Sequence, residues 1–192
     1  MEWLAGWFTW KSAYLVADIV LRLLSILSVA GLLLLLGDLA STFLYHVPEH
    51  AIGRLHCRIH HEQKQTFQHY AVLSYHPLVL LDGFLGALPY IALAFVFWQI
   101  SPVGSAIALL LGEAHVIWRH TTKIGWRSPS WLVDACRWPG VVTPEVHWAH
   151  HENGMVGFGD IFQFLDVPAQ RWLQWLLMIK GSLKKWKRGV SR

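Results

Sequence analysis

The sequence predicts an all-α integral membrane protein, a helical bundle carrying a histidine-rich cap on its cytosolic side. Three observations predict it. Charged residues make up 15% of the chain and hydrophobic ones 54%, where a soluble domain carries roughly 25% charge. The apolar residues gather in runs of helix length, and mean hydropathy is +0.37. Twelve tryptophans suit a chain that meets the membrane–water boundary, where indole collects. A length of 192 residues fits one domain.

The elements follow in chain order. Residues 1–13 place Trp3, Trp7 and Trp10 at helical spacing and read as an interfacial segment; without a cationic stretch, MEWLAGWFTW is not expected to be a signal peptide. Residues 14–45 are almost continuously apolar around SILSVAGLLLLLG. As one helix they would measure about 48 Å, against a hydrocarbon core of ~30 Å. They should span and project, carrying Asp38 and His46 outward, or else break at Gly31 or Gly37. The runs LVLLDGFLGALPYIALAFVFWQI and VGSAIALLLGEAHVIW flank Ser101-Pro102, a turn signal, and so predict a membrane hairpin. One span and one hairpin leave every histidine cluster on the same side.

Residues 168–192 form an amphipathic, basic end. KGSLKKWKRGVSR carries Lys180, Lys184, Lys185, Lys187, Arg188 and Arg192 without an acid. Behind PAQRWLQWLLMI, such a tail reads as facing lipid rather than nucleic acid, and the positive-inside bias puts it in the cytoplasm. Residues 14–167 are then the catalytic domain. Cys57 and Cys136 make neither a CxxC nor a disulfide framework.

Ten of the twelve histidines fall in four clusters: YHVPEH, LHCRIHHE, EAHVIWRH and VHWAHHE. Residues three or four apart share a helix face, so His46/His50, His56/His60 and His147/His150/His151 can each aim at one point. Imidazole suits zinc, copper, iron and nickel. A single HxxxH is more often a polar helix face, but four clusters on one side exceed the ligands of one tetrahedral ion. Two neighbouring metals account for them. Such a pair polarises water for hydrolysis or, if redox-active, activates oxygen. Few carboxylates and an apolar setting favour oxidation, because an alkyl C–H bond offers hydrolysis nothing to attack.

The pieces GDLASTFLYHVPEH, LHCRIHHEQ, YHPL, HVIWRH and VVTPEVHWAHHENGMVGFGDIFQFLDVP occur in that order. Over residues 38–167 the chain resembles the fatty acid hydroxylase/sterol desaturase superfamily of membrane di-iron enzymes. The resemblance implies two irons in a cytosolic histidine cage, O2 as co-substrate, and a lipid that is hydroxylated or desaturated, whether fatty acyl, sterol-like or isoprenoid. It implies His46, His50, His56, His60, His61, His115, His147, His150 and His151 as ligands, with His120 as a tenth. Electrons would come from a separate ferredoxin or cytochrome-type donor, since these residues show no reductase or haem motif. A carotenoid hydroxylase shares this histidine logic. A non-catalytic membrane metal-binding protein is the alternative of another class, holding metal without an O2-dependent product.

Some features depart from the pattern. His115 and His120 are five apart, about 140° around a helix, and meet only where the helix bulges or ends. Ile117 stands where many relatives have Asn, and Pro48 should interrupt a helix from His46 to His50. The amino-terminal membrane part is shorter than the usual four spans. Asp38, inside an apolar run where an unpaired charge is costly, is expected to hold a liganding imidazole by a hydrogen bond. Glu113 in the hairpin is expected to do the same, ahead of Glu62, Glu145 and Asp160. His76 matches the family's His-Pro pair, His69 reads as surface, and Cys57 as a small buried hydrophobe.

Overall fold

The computed structural model describes residues 2–62 and 64–190, with side chains over 13–62 and 64–188. The side chains of Trp3, Trp7 and Trp10, and with them the interfacial role expected of residues 1–13, lie outside the described residues. The described chain is helical, and its sole β-type pairing is one bridge between Val141 and Phe162.

Helix α1 (Glu2–Ser41) runs 40 residues without a break at Gly31 or Gly37. Gly37 serves packing: a Cβ there would lie 2.2 Å from Cδ1 of Tyr90, so the missing side chain admits that ring. The helical path continues through a π turn (Thr42–His46) into α2 (Val47–Ala51), with the Val47 N–H reaching back to the Thr42 carbonyl. Pro48 therefore falls in a first turn, where its missing N–H leaves no helical bond unmade. His46 and His50 stay on one continuous helical path, contrary to the interruption that Pro48 suggests.

Two short helices follow, α3 (Leu55–Ile59) and α4 (Phe67–Tyr70). The expected hairpin is present as α5 (Pro77–Trp98) and α6 (Pro102–Arg119). Ser101 caps α6 by accepting the Gly104 N–H at 3.1 Å, and Pro102 starts it. Both helices pack on α1 around Ala30, Leu33, Ala94 and Ala108, whose small side chains allow close approach. Gly104 is closed in by backbone: a Cβ there would lie 2.7 Å from the Ile26 carbonyl oxygen and 3.0 Å from Cβ of Val29.

Residues 13–51 and α5 are long and apolar enough to cross a membrane. Their outward residues include Leu27 and Phe95, 67% and 75% exposed. α6, with 18 residues, would measure about 27 Å. Beyond the bundle, α7 (Ser130–Arg137), α8 (Pro144–Glu152) and α9 (Asp166–Val190) complete a cap at the His46 end of α1.

Gly104→Val should lower thermal stability in detergent by about 1–3 kcal/mol, the usual cost of overpacking. Gly31→Ala, with nothing within 4 Å of the new methyl group, should be neutral or gain up to ~1 kcal/mol of helix propensity. Equal effects in the two melting curves would contradict this packing.

Candidate metal centre

Nine of the ten histidines predicted as ligands gather into two adjoining groups. His46, His50, His56, His61 and His150 bring one ring nitrogen each within 4.8 Å of one another, and so do His60, His120, His147 and His151. The π turn and α2 supply His46 and His50, and α3 with the residues after it supplies His56, His60 and His61. His120 follows the end of α6, and Thr143 and Pro144 start α8, which holds His147, His150 and His151. Around this helix His147 and His151 lie about 40° apart, while His150 lies about 60° to the other side of His147. α8 thus acts as a wedge, with two rings on one group and one on the other. The His56 and His60 rings, stacked at 4.7 Å, form the seam between the groups.

The hydrogen bonds of the outer nitrogens decide what the inner ones present. Nδ1 of His46 donates to the Phe158 carbonyl at 2.9 Å, and Nδ1 of His150 donates to that of Val156. With both protons placed there, the two Nε2 atoms, 2.9 Å apart, face each other as bare lone pairs. A cation between them removes that repulsion. His120 repeats the device: Nδ1 donates to the Val116 carbonyl at 2.7 Å, and Nε2 lies 3.1 Å from Nε2 of His60 and 2.9 Å from that of His147. Nε2 of His50, His56 and His61 is buried without a protein partner. Neutral, orphaned imidazole nitrogens at these separations fit ligation of a borderline metal at ~2.1 Å. Burial, reinforced by neighbouring imidazoles, pushes His60, His61 and His147 well below the ordinary imidazole value, His150 to about 4 and His151 to about 2.

His115 joins neither group. Its Nε2 donates to the Val142 carbonyl at 2.9 Å, tying α6 to the segment that leads into α8. The five-residue step explains the separation: α6 ends at Arg119, and His120, just past it with φ −97° and ψ 0°, turns inward. His76 is exposed at the start of α5, and His69 bonds to the Ile59 carbonyl at 3.1 Å.

The carboxylates differ from expectation. Asp38 is fully buried but touches no histidine. Its oxygens accept the backbone N–H groups of Asp160, Ile161 and Phe162 at 2.9, 2.9 and 2.7 Å. It acts at one remove, through the loop whose Phe158 carbonyl orients His46. Glu113 is exposed on the wall of a cavity and has no hydrogen bond to an imidazole. The orienting carboxylate is Asp82, 6% exposed, which accepts from Nδ1 of His56 at 3.2 Å and from the Tyr45 hydroxyl. Asp160 pairs with the buried Arg119 and lies 3.7 Å from Nδ1 of His46. Sequence reasoning missed Asp82, though it interrupts the apolar run LVLLDGFLG just as Asp38 interrupts its own. It also missed Phe158, fully buried against the rings of His46, His50 and His150, and Tyr70, stacked on His120. Gly157, at φ +72°, lets the loop pass His150, where a Cβ would meet that residue's own at 3.0 Å.

A cavity of about 410 Å³ reaches this centre between α5 and α6. Gly83, Gly86, Ala87 and Gly112 hold it open, and His46, His56 and His60 from both groups close its inner end. The model of the fatty acid hydroxylase family matches residues 31–169. The chain belongs to the fatty acid hydroxylase family. The match takes in all ten predicted ligands together with Asp38, Asp82 and Asp160, and stops in the first turn of α9. No curated protein and no solved structure matches the chain significantly. Family membership makes the protein an oxidoreductase of the lipid hydroxylase and desaturase type, and with two apolar helices a membrane protein.

Two outcomes follow for this member of the family. Asp82→Leu should weaken metal retention about 10- to 100-fold, as loss of a ligand-orienting partner does, with Tyr45→Phe milder; competition with a chelator reads both. Acid should act through the buried imidazoles. The folded values of His60, His61, His147, His150 and His151 lie below the unfolded value of ~6.5, so below that pH the unfolded chain binds protons that the folded chain refuses. Stability of chelator-treated protein, full above pH ~6.5, should fall as pH drops toward 4, where His150 charges. A melting temperature flat from pH 7.5 to 5 would contradict this burial.

Proposed function

We propose that this protein is an O2-dependent di-iron oxidoreductase that hydroxylates or desaturates a lipid at the inner end of its membrane cavity. One observation carries the reading: the cavity ends on His46, His56 and His60, at the seam between the two ligand groups. A substrate atom there would adjoin both metal positions at once. His46, His50, His56, His61 and His150 would hold one iron, and His60, His120, His147 and His151 the other. Bound iron would supply the redox chemistry that reduces O2 and removes hydrogen from carbon.

The chain's own residues bind, orient and exclude water. The glycines and Ala87 give an alkyl chain or flat ring room between α5 and α6, where it arrives from the bilayer without crossing water. Asp82 holds His56 by its Nδ1 proton, and the carbonyls of Phe158, Val156 and Val116 hold His46, His150 and His120 in one tautomer. Tyr70 and Phe158 cover the outer faces of the rings and keep the centre dry. The basic tail supports a cytoplasmic cap, where a ferredoxin or cytochrome-type donor would deliver electrons.

Lipid profiling of membranes with and without the protein, paired with metal analysis of the purified chain, tests this. Iron near two per chain and a new O2-dependent lipid product are expected. His60→Ala and His150→Ala, one in each group, should each lose iron and abolish product. Zinc in place of iron, with an unchanged lipid profile, would overturn the enzyme reading in favour of metal storage.

A further inference from the structure

α9 does two different things along its length. In its first half Ala169, Leu173 and Leu176 pack on Val47, Ala51 and Phe158. Nε1 of Trp172 donates to the Phe43 carbonyl at 3.1 Å, and Nζ of Lys180 donates to that of Ala51 at 2.6 Å. Phe43 lies in the π turn that follows α1, so α9 crosses the molecule beside the end of that span. Past Lys180 every residue from 181 to 188 is exposed. A helical end this exposed is marginal in water.

From Trp175 onward the helix is also two-sided. Trp175, Ile179, Leu183 and Trp186 follow at steps of four, four and three, making one apolar stripe, with Trp175 48% and Trp186 66% exposed. Lys184, Lys185 and Arg188 centre on the opposite side, about 170° around the helix. That side carries no acid from Lys180 to Arg188. A helix with tryptophan and leucine on one face and cations on the other lies in the plane of a bilayer, the stripe among upper acyl carbons and the cations among headgroups.

We propose that residues 180–188 of α9 form a recognition surface for anionic phospholipid headgroups, docking the cap on the leaflet that surrounds it. An acidic protein would satisfy the cations alone. It would leave Leu183 and Trp186 in water, and so fits the surface less well than a lipid does. The docked half continues the half that bonds to Ala51, next to His50, so lipid contact braces α2, which bears that predicted ligand.

The full chain, reconstituted into nanodiscs of phosphatidylcholine with or without phosphatidylglycerol, provides the test through amide hydrogen exchange of residues 181–188. Each cation near an anionic surface is worth roughly a factor of five, so phosphatidylglycerol should slow exchange by about a hundredfold at low salt, and added salt should reverse it. Lys184→Gln/Lys185→Gln/Arg188→Gln should abolish the difference between the two nanodiscs, while Leu183→Ser/Trp186→Ser should remove protection in both. Equal exchange in the two lipids, or a phosphatidylglycerol effect that survives the triple substitution, would overturn the proposal. So would protection by an acidic ferredoxin without any from phosphatidylglycerol.

Discussion

The buried carboxylate of Asp38 is the constraint on which the rest of the cap depends. It sits on the main span and accepts three successive backbone N–H groups, those of Asp160, Ile161 and Phe162. Three successive backbone bonds to one buried carboxyl group tie the loop to the span. That loop carries the Phe158 carbonyl that receives the His46 proton, and Asp160, which holds Arg119 at the end of α6. The end of α1, the end of α6 and the segment after α8 are therefore joined at one point just beneath the histidines. Without that junction the two ligand groups, drawn from segments a hundred residues apart, would have no common frame.

Nine imidazoles crowded together work against folding unless their protons are placed. Every ring has one nitrogen to donate and one to offer, and a buried donor without a partner costs about 1–3 kcal/mol. Main-chain carbonyls at Val116, Val156 and Phe158 and the Asp82 carboxylate take the outer protons of four rings. The lone pairs then converge inward by geometry. This reverses the logic of an ordinary core, where facing groups satisfy one another; these four rings are satisfied outward and stay unsatisfied inward. A metal ion bound there would turn that convergence from a cost into a gain for the folded cap.

Much of this was legible in the sequence, because ligand geometry is written in steps of three and four. The π turn and α2, α3 and α8 each deliver rings that such steps place together. The hairpin was equally legible from Ser101-Pro102 between two apolar runs. His115 shows the limit. A five-residue step says that two rings diverge on a helix, but not which of them the helix end releases inward, and α6 stops at Arg119 to release His120. The two aspartates show another. Asp38 and Asp82 carry the same signal, a carboxylate in an apolar run, yet only one meets a ring. That difference depends on where α3 settles against α5, a tertiary contact that no local pattern records. Pro48 misleads for a related reason: its effect depends on the turn before it, and the wider π turn absorbs it.

The position of the cavity follows from the same economy of space. Two ligand groups that share the His56–His60 seam leave one open side, because α8 and the Phe158 loop close the cap from above and α9 braces α2 from outside. The open side faces down, between α5 and α6, where three glycines and an alanine on facing walls leave room that larger side chains would fill. Under the proposed function, a substrate of the membrane phase would meet the metal positions through that open side. Oxygen chemistry on carbon would need such a separation, since a centre open to water would spend electrons without touching a lipid. On that reading the bilayer would close the one wall that the fold leaves out.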